Sequence, residues 1–164
     1  MIRTGIGYDI HPFAEGRPLV LGGITIPSDL GLAGHSDADV LLHALADALL
    51  GAAGLGDIGH RFPPGDASIA GIDSRIILRT SADQVRDAGF AISNVDTTVI
   101  AERPRIAPHL DAMRAVIAQD LEIPVGAIGI KATTNEKLGA IGRAEGIAAL
   151  AIATLIDRSL MDRL

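Results

Sequence analysis

A run of ten residues, Ile147 to Ile156, carries no charge and a single hydroxyl, that of Thr154. Roughly 20 apolar residues are needed to span a bilayer, so this run is too short to cross one and must be covered by protein. Its alanines favour a helix, whereas its isoleucines suit a buried strand, and periodicity alone does not choose between them. The rest of the chain must supply the cover. A length of 164 residues suits one domain spanning 1–164, and an apolar content of 48% is enough for a core. With one Tyr, three Phe and no Trp, that core has to be built from Ala, Ile, Leu and Val. A mean hydropathy of +0.36 favours an oligomer that hides part of the surface.

Charge and chemistry-bearing residues narrow the function. Fourteen Lys and Arg against twenty Asp and Glu leave a net charge of −6. Such a chain offers no basic field for nucleic acid, and it lacks the aromatics of a base-stacking platform. With no cysteine, disulfides, thiolate zinc sites and cysteine nucleophiles are excluded, so any metal must be held by His, Asp or Glu. The first residues, MIRTGIGYD, contain no apolar signal-peptide core and already include an aspartate, which predicts a cytoplasmic protein without a membrane anchor.

Along the chain, residues 2–11 predict a strand, and 18–27 predict two short strands around Gly22-Gly23. From Ser36 the spacing of Leu41, Leu45, Ala48 and Leu49 predicts a helix. Ser36 and Asp39 stand in capping-box relation at its start, and Gly51 and Gly54 stop it. Residues 55–72, rich in glycine and holding Pro63 and Pro64, predict a long loop of the kind usually tied to function. A helix over 73–88, a strand over 90–102, a helix over 108–120 opening on Pro108 and a strand over 126–133 follow. Strands followed by alternating helices and strands suggest a two-layer α/β sandwich.

Three polar clusters stand out. Asp9 and His11, two apart on a strand, leave the same face, and Asp39, His43 and Asp47 recur every fourth residue along one helix. Together Asp9, His11 and His43 form the ligand set of a catalytic zinc site with a fourth position open, with Asp39 or Asp47 available to orient a histidine from behind. The same spacing also describes a solvated face. The segment 34–39, GHSDAD, places His35 and Ser36 at a helix start, either facing an anionic substrate or serving as an ordinary cap. The segment 131–143, KATTNEKLGAIGR, strings hydroxyls, cations and Glu136 along a turn suited to a polyphosphate with magnesium, or to a charged surface loop. GLGDIG, at 54–59, matches the dinucleotide fingerprint, but a helix precedes it and HRFPPGD follows, so the required strand–turn–helix setting is missing.

Taken together, GIGYDIHPF, LGLAGHSDADVLLHALADALLGAAGLGDIGHRFP and KATTNEKLGAIGR with the following EGI resemble the 2-C-methyl-D-erythritol 2,4-cyclodiphosphate synthases, the cyclases of the non-mevalonate isoprenoid pathway. The similarity runs from about residue 2 to residue 157 in the family's order and spacing. It implies an α+β fold, a two-layer α/β sandwich with a mixed sheet, assembled as a homotrimer around a central three-fold axis with active sites between subunits. It also assigns the segment from Glu145 to a strand. The implied reaction is that of a phosphorus-oxygen lyase. The 2-phosphate of 4-diphosphocytidyl-2-C-methyl-D-erythritol 2-phosphate attacks the β-phosphorus, giving the 2,4-cyclodiphosphate and releasing CMP.

Residue by residue, the resemblance makes Asp9, His11 and His43 zinc ligands, with Asp9 and His11 also at the substrate. His35 and Thr134 match positions that stabilise the transition state, and Ser36 adjoins His35. Asp47, Asp57, Ile58 and Gly59, and the mobile loop of Phe62, Pro63, Pro64, Gly65 and Asp66, match contacts to the methylerythritol end. Ala101, Glu102, Arg103, Pro104, Arg105, Ile106 and Ala107 match the backbone that reads cytosine. Thr133, Thr134, Asn135 and Glu136 match a diphosphate turn, with Glu136 on a second metal, magnesium or manganese, while Ala140 and Arg143 match its flank. Two positions depart from the pattern: His60 stands where many members carry lysine, and Ala140 where some carry an aromatic. Tyr8, Arg143 and Glu145 match the entrance of a central apolar channel that takes an isoprenoid diphosphate. Two rival readings stand beside the cyclase: a zinc phosphohydrolase using the same triad with Asp39 as its acid or base, and a trimeric module that captures an isoprenoid or nucleotide diphosphate without turnover and would tolerate loss of the triad.

Overall fold

The computed structural model describes residues 1–63 and 65–161; Pro64 of the expected substrate loop lies outside them. Strand β1 covers Ile2–Ala14, longer than expected, and is followed by the hairpin β2 (Leu19–Leu21) and β3 (Ile24–Ile26) and by β4 (Gly31–Leu32). The hairpin turns at Gly22 (φ 61°) and Gly23 (φ 78°), the left-handed pair that a two-residue turn of this hand requires. Helix α1 (Val40–Ala53) comes next, then a short α2 (Ile58–Arg61), α3 (Ser74–Asp87), β5 (Phe90–Ile100), α4 (Leu110–Leu121), β6 (Ile128–Thr133), a four-residue α5 (Gly139–Gly142), β7 (Gly146–Asp157) and α6 (Arg158–Met161). The segment expected as a loop over 55–72 thus contains α2 and a 3₁₀ turn at Ala67–Ile69. Another 3₁₀ turn, Ala107–His109, precedes α4, so Pro108 opens that turn and not the α-helix itself.

The main sheet runs β4-β1-β7-β5-β6. It is mixed: β7 pairs antiparallel with both β1 and β5, whereas β5 and β6 are parallel. The segment after Glu145 is therefore the central strand. Alanine's small helical preference is outweighed by hydrogen-bonded pairing on both edges over nearly its whole length and by burial of Ile147, Ala149, Ala151, Ala153 and Leu155 against the helices.

Alternation splits β1 in two. Its odd residues face the helices, and its even residues face away. On the helical side Gly5 and Gly7 permit a very close approach: a Cβ on Gly7 would sit 1.8 Å from the Ala44 carbonyl oxygen, and one on Gly5 would sit 2.1 Å from that of Ala48. Every residue of α1 except Asp47 and Gly51 is buried, as expected of a helix that is apolar nearly all round. The other face of the sheet is open. There Ile6 pairs with Ile152 and Tyr8 with Leu150, and all four remain exposed, Ile6 at 71%. Among the described residues no helix is long and apolar enough to cross a membrane.

Candidate functional site: a His-His-Asp cluster in an apolar cavity

The strand parity that carries Gly5 and Gly7 onto α1 carries Asp9 and His11 to the same side, where they meet His43 one turn into the helix. Asp9 Oδ2 lies 2.9 Å from His11 Nε2 and 3.0 Å from His43 Nδ1, and the two ring nitrogens are 3.2 Å apart. A tetrahedral zinc site with bonds of about 2.0 Å has ligand–ligand edges of roughly 3.3 Å, so this triangle of one oxygen and two nitrogens fits such an ion. Burial alone would raise the Asp9 carboxyl, but hydrogen bonds from His11 and His43 outweigh it and hold the group well below the usual carboxylate range. Burial likewise opposes charge on His11, and its hydrogen bond to Asp9 reverses that and raises its pKa. The Asp9 carboxylate thus stays ionised at the point where three donor atoms converge.

Helix α1 starts at Asp39, not Ser36. The Asp39 carboxylate caps Leu41 N and Leu42 N and also accepts from Gly22 N (3.0 Å) and Gly23 N (2.7 Å), tying the hairpin to the helix. Fully buried and committed to four backbone donors, Asp39 neither backs His43 nor faces the cavity as an acid or base. Asp47 does not back a histidine either: its Oδ1 accepts from Ile58 N at 2.8 Å and anchors α2. Burial pushes the Asp47 carboxyl up. Behind His43 stand two hydroxyls, those of Ser36 (3.1 Å from Nε2) and Ser74 (2.8 Å). Ser74 is not among the expected site residues, and its partner Asp37 fits the sequence only as part of an ordinary cap with Ser36. Position 74 follows the Asp73 cap of α3, and no local spacing links it to position 43.

Asp9, His11, His35, Ser36, His43, Asp47, Ile58, Gly59 and Phe62 line one cavity of about 240 Å³, completed by Ile69, Ile72 and Ile77. His35 is exposed at its mouth, and Arg17 holds the turn beneath it by donating to the Gly34 carbonyl (2.7 Å) and to that of Ser36. Asp57 instead caps α2 and pairs with His60 (2.9 Å); that contact holds its carboxyl below its ordinary range. Pro63, Gly65 and Asp66 stand outside the cavity wall.

The remaining predicted residues form a second cleft, also about 240 Å³, walled by Ala101, Glu102, Pro104, Arg105, Ile106, Ala107, Thr133 and Thr134. Arg103 turns away to stack over Phe13, 5.5 Å from the ring centre. Glu102 Oε1 accepts from Asn135 N (3.0 Å) and Lys137 N (3.2 Å), Thr134 Oγ1 donates to Glu136 (3.4 Å), and Arg143 pairs with Glu145 (2.6 Å). Ala140 lies beside His11 in a third hollow with Ile10 and Glu145. Within one chain the two clefts do not meet. The first opens at β1 and the second at the ends of β5 and β6, two and three strand positions away, or roughly 10–14 Å at the usual strand spacing.

A model of the YgbB family matches residues 2–156. The chain belongs to the YgbB family. A 2-C-methyl-D-erythritol 2,4-cyclodiphosphate synthase of Burkholderia cenocepacia (strain HI2424) is 60% identical over 156 residues, 95% of this chain and 97% of the relative. Among solved structures, a Plasmodium falciparum IspF in complex with CDP matches with a TM-score of 0.83 and 36% identity, covering 96% of this chain and 97% of that one. The bifunctional IspDF from Campylobacter jejuni matches with a TM-score of 0.92 and 45% identity over 97% of this chain; this YgbB chain spans 44% of that longer protein. The His-His-Asp cluster and both clefts lie inside the region the family model matches.

Proposed function

We propose that this chain converts 4-diphosphocytidyl-2-C-methyl-D-erythritol 2-phosphate to 2-C-methyl-D-erythritol 2,4-cyclodiphosphate and CMP. The observation that carries the reading is the convergence of Asp9, His11 and His43 on the wall of an apolar cavity, in a chain 60% identical to a named cyclodiphosphate synthase. An oxygen of the 2-phosphate forms a bond to the β-phosphorus, the bond from that phosphorus to the bridging oxygen breaks, and CMP leaves with the electron pair. A phosphate is largely ionised at neutral pH, so no general base is needed. The barrier is charge repulsion and the entropy of ring closure.

Zinc on Asp9, His11 and His43, and magnesium or manganese held by Glu136 with the diphosphate, supply Lewis-acid neutralisation of that charge when bound. The chain's own residues position the substrate. His35 and Thr134 donate to the oxygens on which charge builds. Ser36, Asp47, Asp57, Ile58, Gly59 and the segment from Phe62 to Asp66 enclose the methylerythritol end and exclude water, the competing nucleophile. The backbone from Ala101 to Ala107 reads cytosine, while Thr133, Asn135, Ala140 and Arg143 border the diphosphate.

The working form is a homotrimer of single-domain chains in the cytoplasm. Its support is twofold: the open sheet face exposes Ile6, Tyr8, Ile10, Leu150 and Ile152 together, and the two clefts of one chain are too far apart to share a diphosphate. A neighbouring copy brings its second cleft to the first cleft of this chain. The sheet faces then surround a central channel, with Tyr8, Arg143 and Glu145 toward its entrance, that takes an isoprenoid diphosphate.

A phosphorus NMR time course with this substrate and magnesium, with and without a zinc chelator, tests the reading. Stoichiometric CMP and a cyclic diphosphate, lost on chelation, are expected. CMP with the open-chain 2,4-bisphosphate would mean hydrolysis at the same site, and binding without release would leave only a ligand-capturing protein.

A further inference from the structure

His43 is held from both sides. Nδ1 faces Asp9 and His11, whereas Nε2 faces the Ser74 hydroxyl at 2.8 Å and the Ser36 hydroxyl at 3.1 Å. Ser74, the first residue of α3, is fully buried. Its hydroxyl donates to Asp37 Oδ1, its backbone N–H donates to Asp37 Oδ2 at 3.0 Å, and Asp39 N donates to Asp37 Oδ1 at 3.1 Å. The Asp37 carboxylate is thus fixed by three donors.

A serine hydroxyl has one proton. With that proton on Asp37, Ser74 Oγ presents only lone pairs to His43. A bare Nε2 would set two lone pairs against each other at 2.8 Å in a buried site, so Nε2 carries the ring proton and donates it to Ser74. A metal held with Asp9 and His11 would take the place of the proton between Nδ1 and Asp9 (3.0 Å), and the Nδ1 lone pair would then be the one that ligates it. Ser36 does not decide this: its contact is longer, and its Oγ already accepts from Ala38 N at 3.0 Å.

We propose that Asp37 and Ser74 are positioning residues of the metal site, a buried carboxylate–hydroxyl relay that sets the tautomer and the aim of His43. Their role resembles that of the carboxylates behind metal-binding histidines, with one hydroxyl interposed. The proposal rests on the metal-triad part of the function above, and it concerns zinc affinity rather than turnover.

The test is zinc affinity of the metal-stripped, full-length protein, measured by competition with a chromophoric chelator and by the cobalt(II) visible spectrum. Ser74→Ala is expected to weaken zinc binding about 10- to 100-fold and to alter the cobalt spectrum. Asp37→Asn should weaken it by less, and the double variant no more than Ser74→Ala alone, because Asp37 acts through Ser74. Ser81→Ala, which removes another buried hydroxyl of α3 bonded only to Ile77 O at 2.9 Å, should leave affinity unchanged. Wild-type affinity in folded Ser74→Ala, or additive losses in the double variant, overturns the relay. If Ser74→Ala does not fold, unchanged affinity in Asp37→Asn overturns it instead. Wild-type protein that binds neither metal overturns the metal reading itself, a result distinct from zinc binding that is indifferent to Ser74.

Discussion

The cavity around Asp9, His11 and His43 and the turn from Thr133 to Arg143 are both polar sites, yet they are built in opposite ways. In the cavity the three donor side chains stand on regular elements: β1 and α1 are locked together where Gly5 and Gly7 meet the α1 backbone. In the turn nearly everything is exposed, and Glu136 (φ 50°) and Lys137 (φ 61°) adopt left-handed backbone conformations unusual for residues with side chains. The groups there that suit a phosphate are engaged with the chain's own carboxylates. Glu102 holds the Asn135 and Lys137 N–H groups, and Glu145 holds Arg143. The proposed metal triad is therefore assembled by folding alone, whereas the turn, if it takes a diphosphate as proposed, would exchange carboxylates for phosphates.

The most disruptive way to break this contrast is to part β1 from α1. Gly7→Val places a side chain into the Ala44 carbonyl, and overpacking against backbone is expected to cost roughly 3 kcal/mol or more, a fall of about 10 °C in Tm, with zinc binding lost as well. A calorimetric Tm equal to wild type would mean that this contact does not hold the cavity together. Next comes His43→Ala, which removes one donor of three. It should abolish zinc binding and lower turnover about a thousandfold, the equivalent of several kcal/mol of Lewis-acid stabilisation, while circular dichroism stays unchanged. Full turnover of the metal-free variant would dissolve the distinction between the two sites.

On the exposed side effects should be smaller and of another kind. Glu136→Gln is expected to raise the magnesium or manganese needed for half-maximal rate roughly tenfold and to leave zinc content alone; an unchanged metal titration removes Glu136 from that role. The smallest effect sharpens the electrostatics of the cavity. Because burial raises the Asp47 pKa in the folded state, the ionised group destabilises the fold at neutral pH, and stability returns as pH falls through the raised value. Asp47→Asn should therefore raise the Tm of the metal-free protein by ~1–2 °C at pH 7, with the difference vanishing below the unfolded carboxyl range. A gain that persists in acid would assign it to something other than charge.

Much of this is legible in the sequence. The hairpin at Gly22-Gly23, the helices α1 and α3 and the shared face of Asp9 and His11 follow from turn chemistry and from periods of 2 and 3.6, which are local properties. Other elements misled for physical reasons. Ser36 and Asp39 both satisfy cap spacing, and only the hairpin packed above them explains why Asp39 wins. The alanines of β7 favour a helix in isolation, and pairing with two strands overrides them. Asp39 and Asp47, in step with His43 along the helix, looked like its supports, but each was claimed by backbone donors from another segment.

Local spacing puts Asp9 and His11 on one strand face and His43 in step with Asp39 and Asp47 on one helix, because parity on a strand and spacing on a helix require no knowledge of the rest of the chain. Only the tertiary structure decided which nitrogen of His43 faces which partner, what lies behind it, and that the two clefts of one chain stay apart. Those outcomes depend on contacts between residues dozens of positions apart, such as Asp37 with Ser74 and Asp9 with His43, and no local period encodes such contacts.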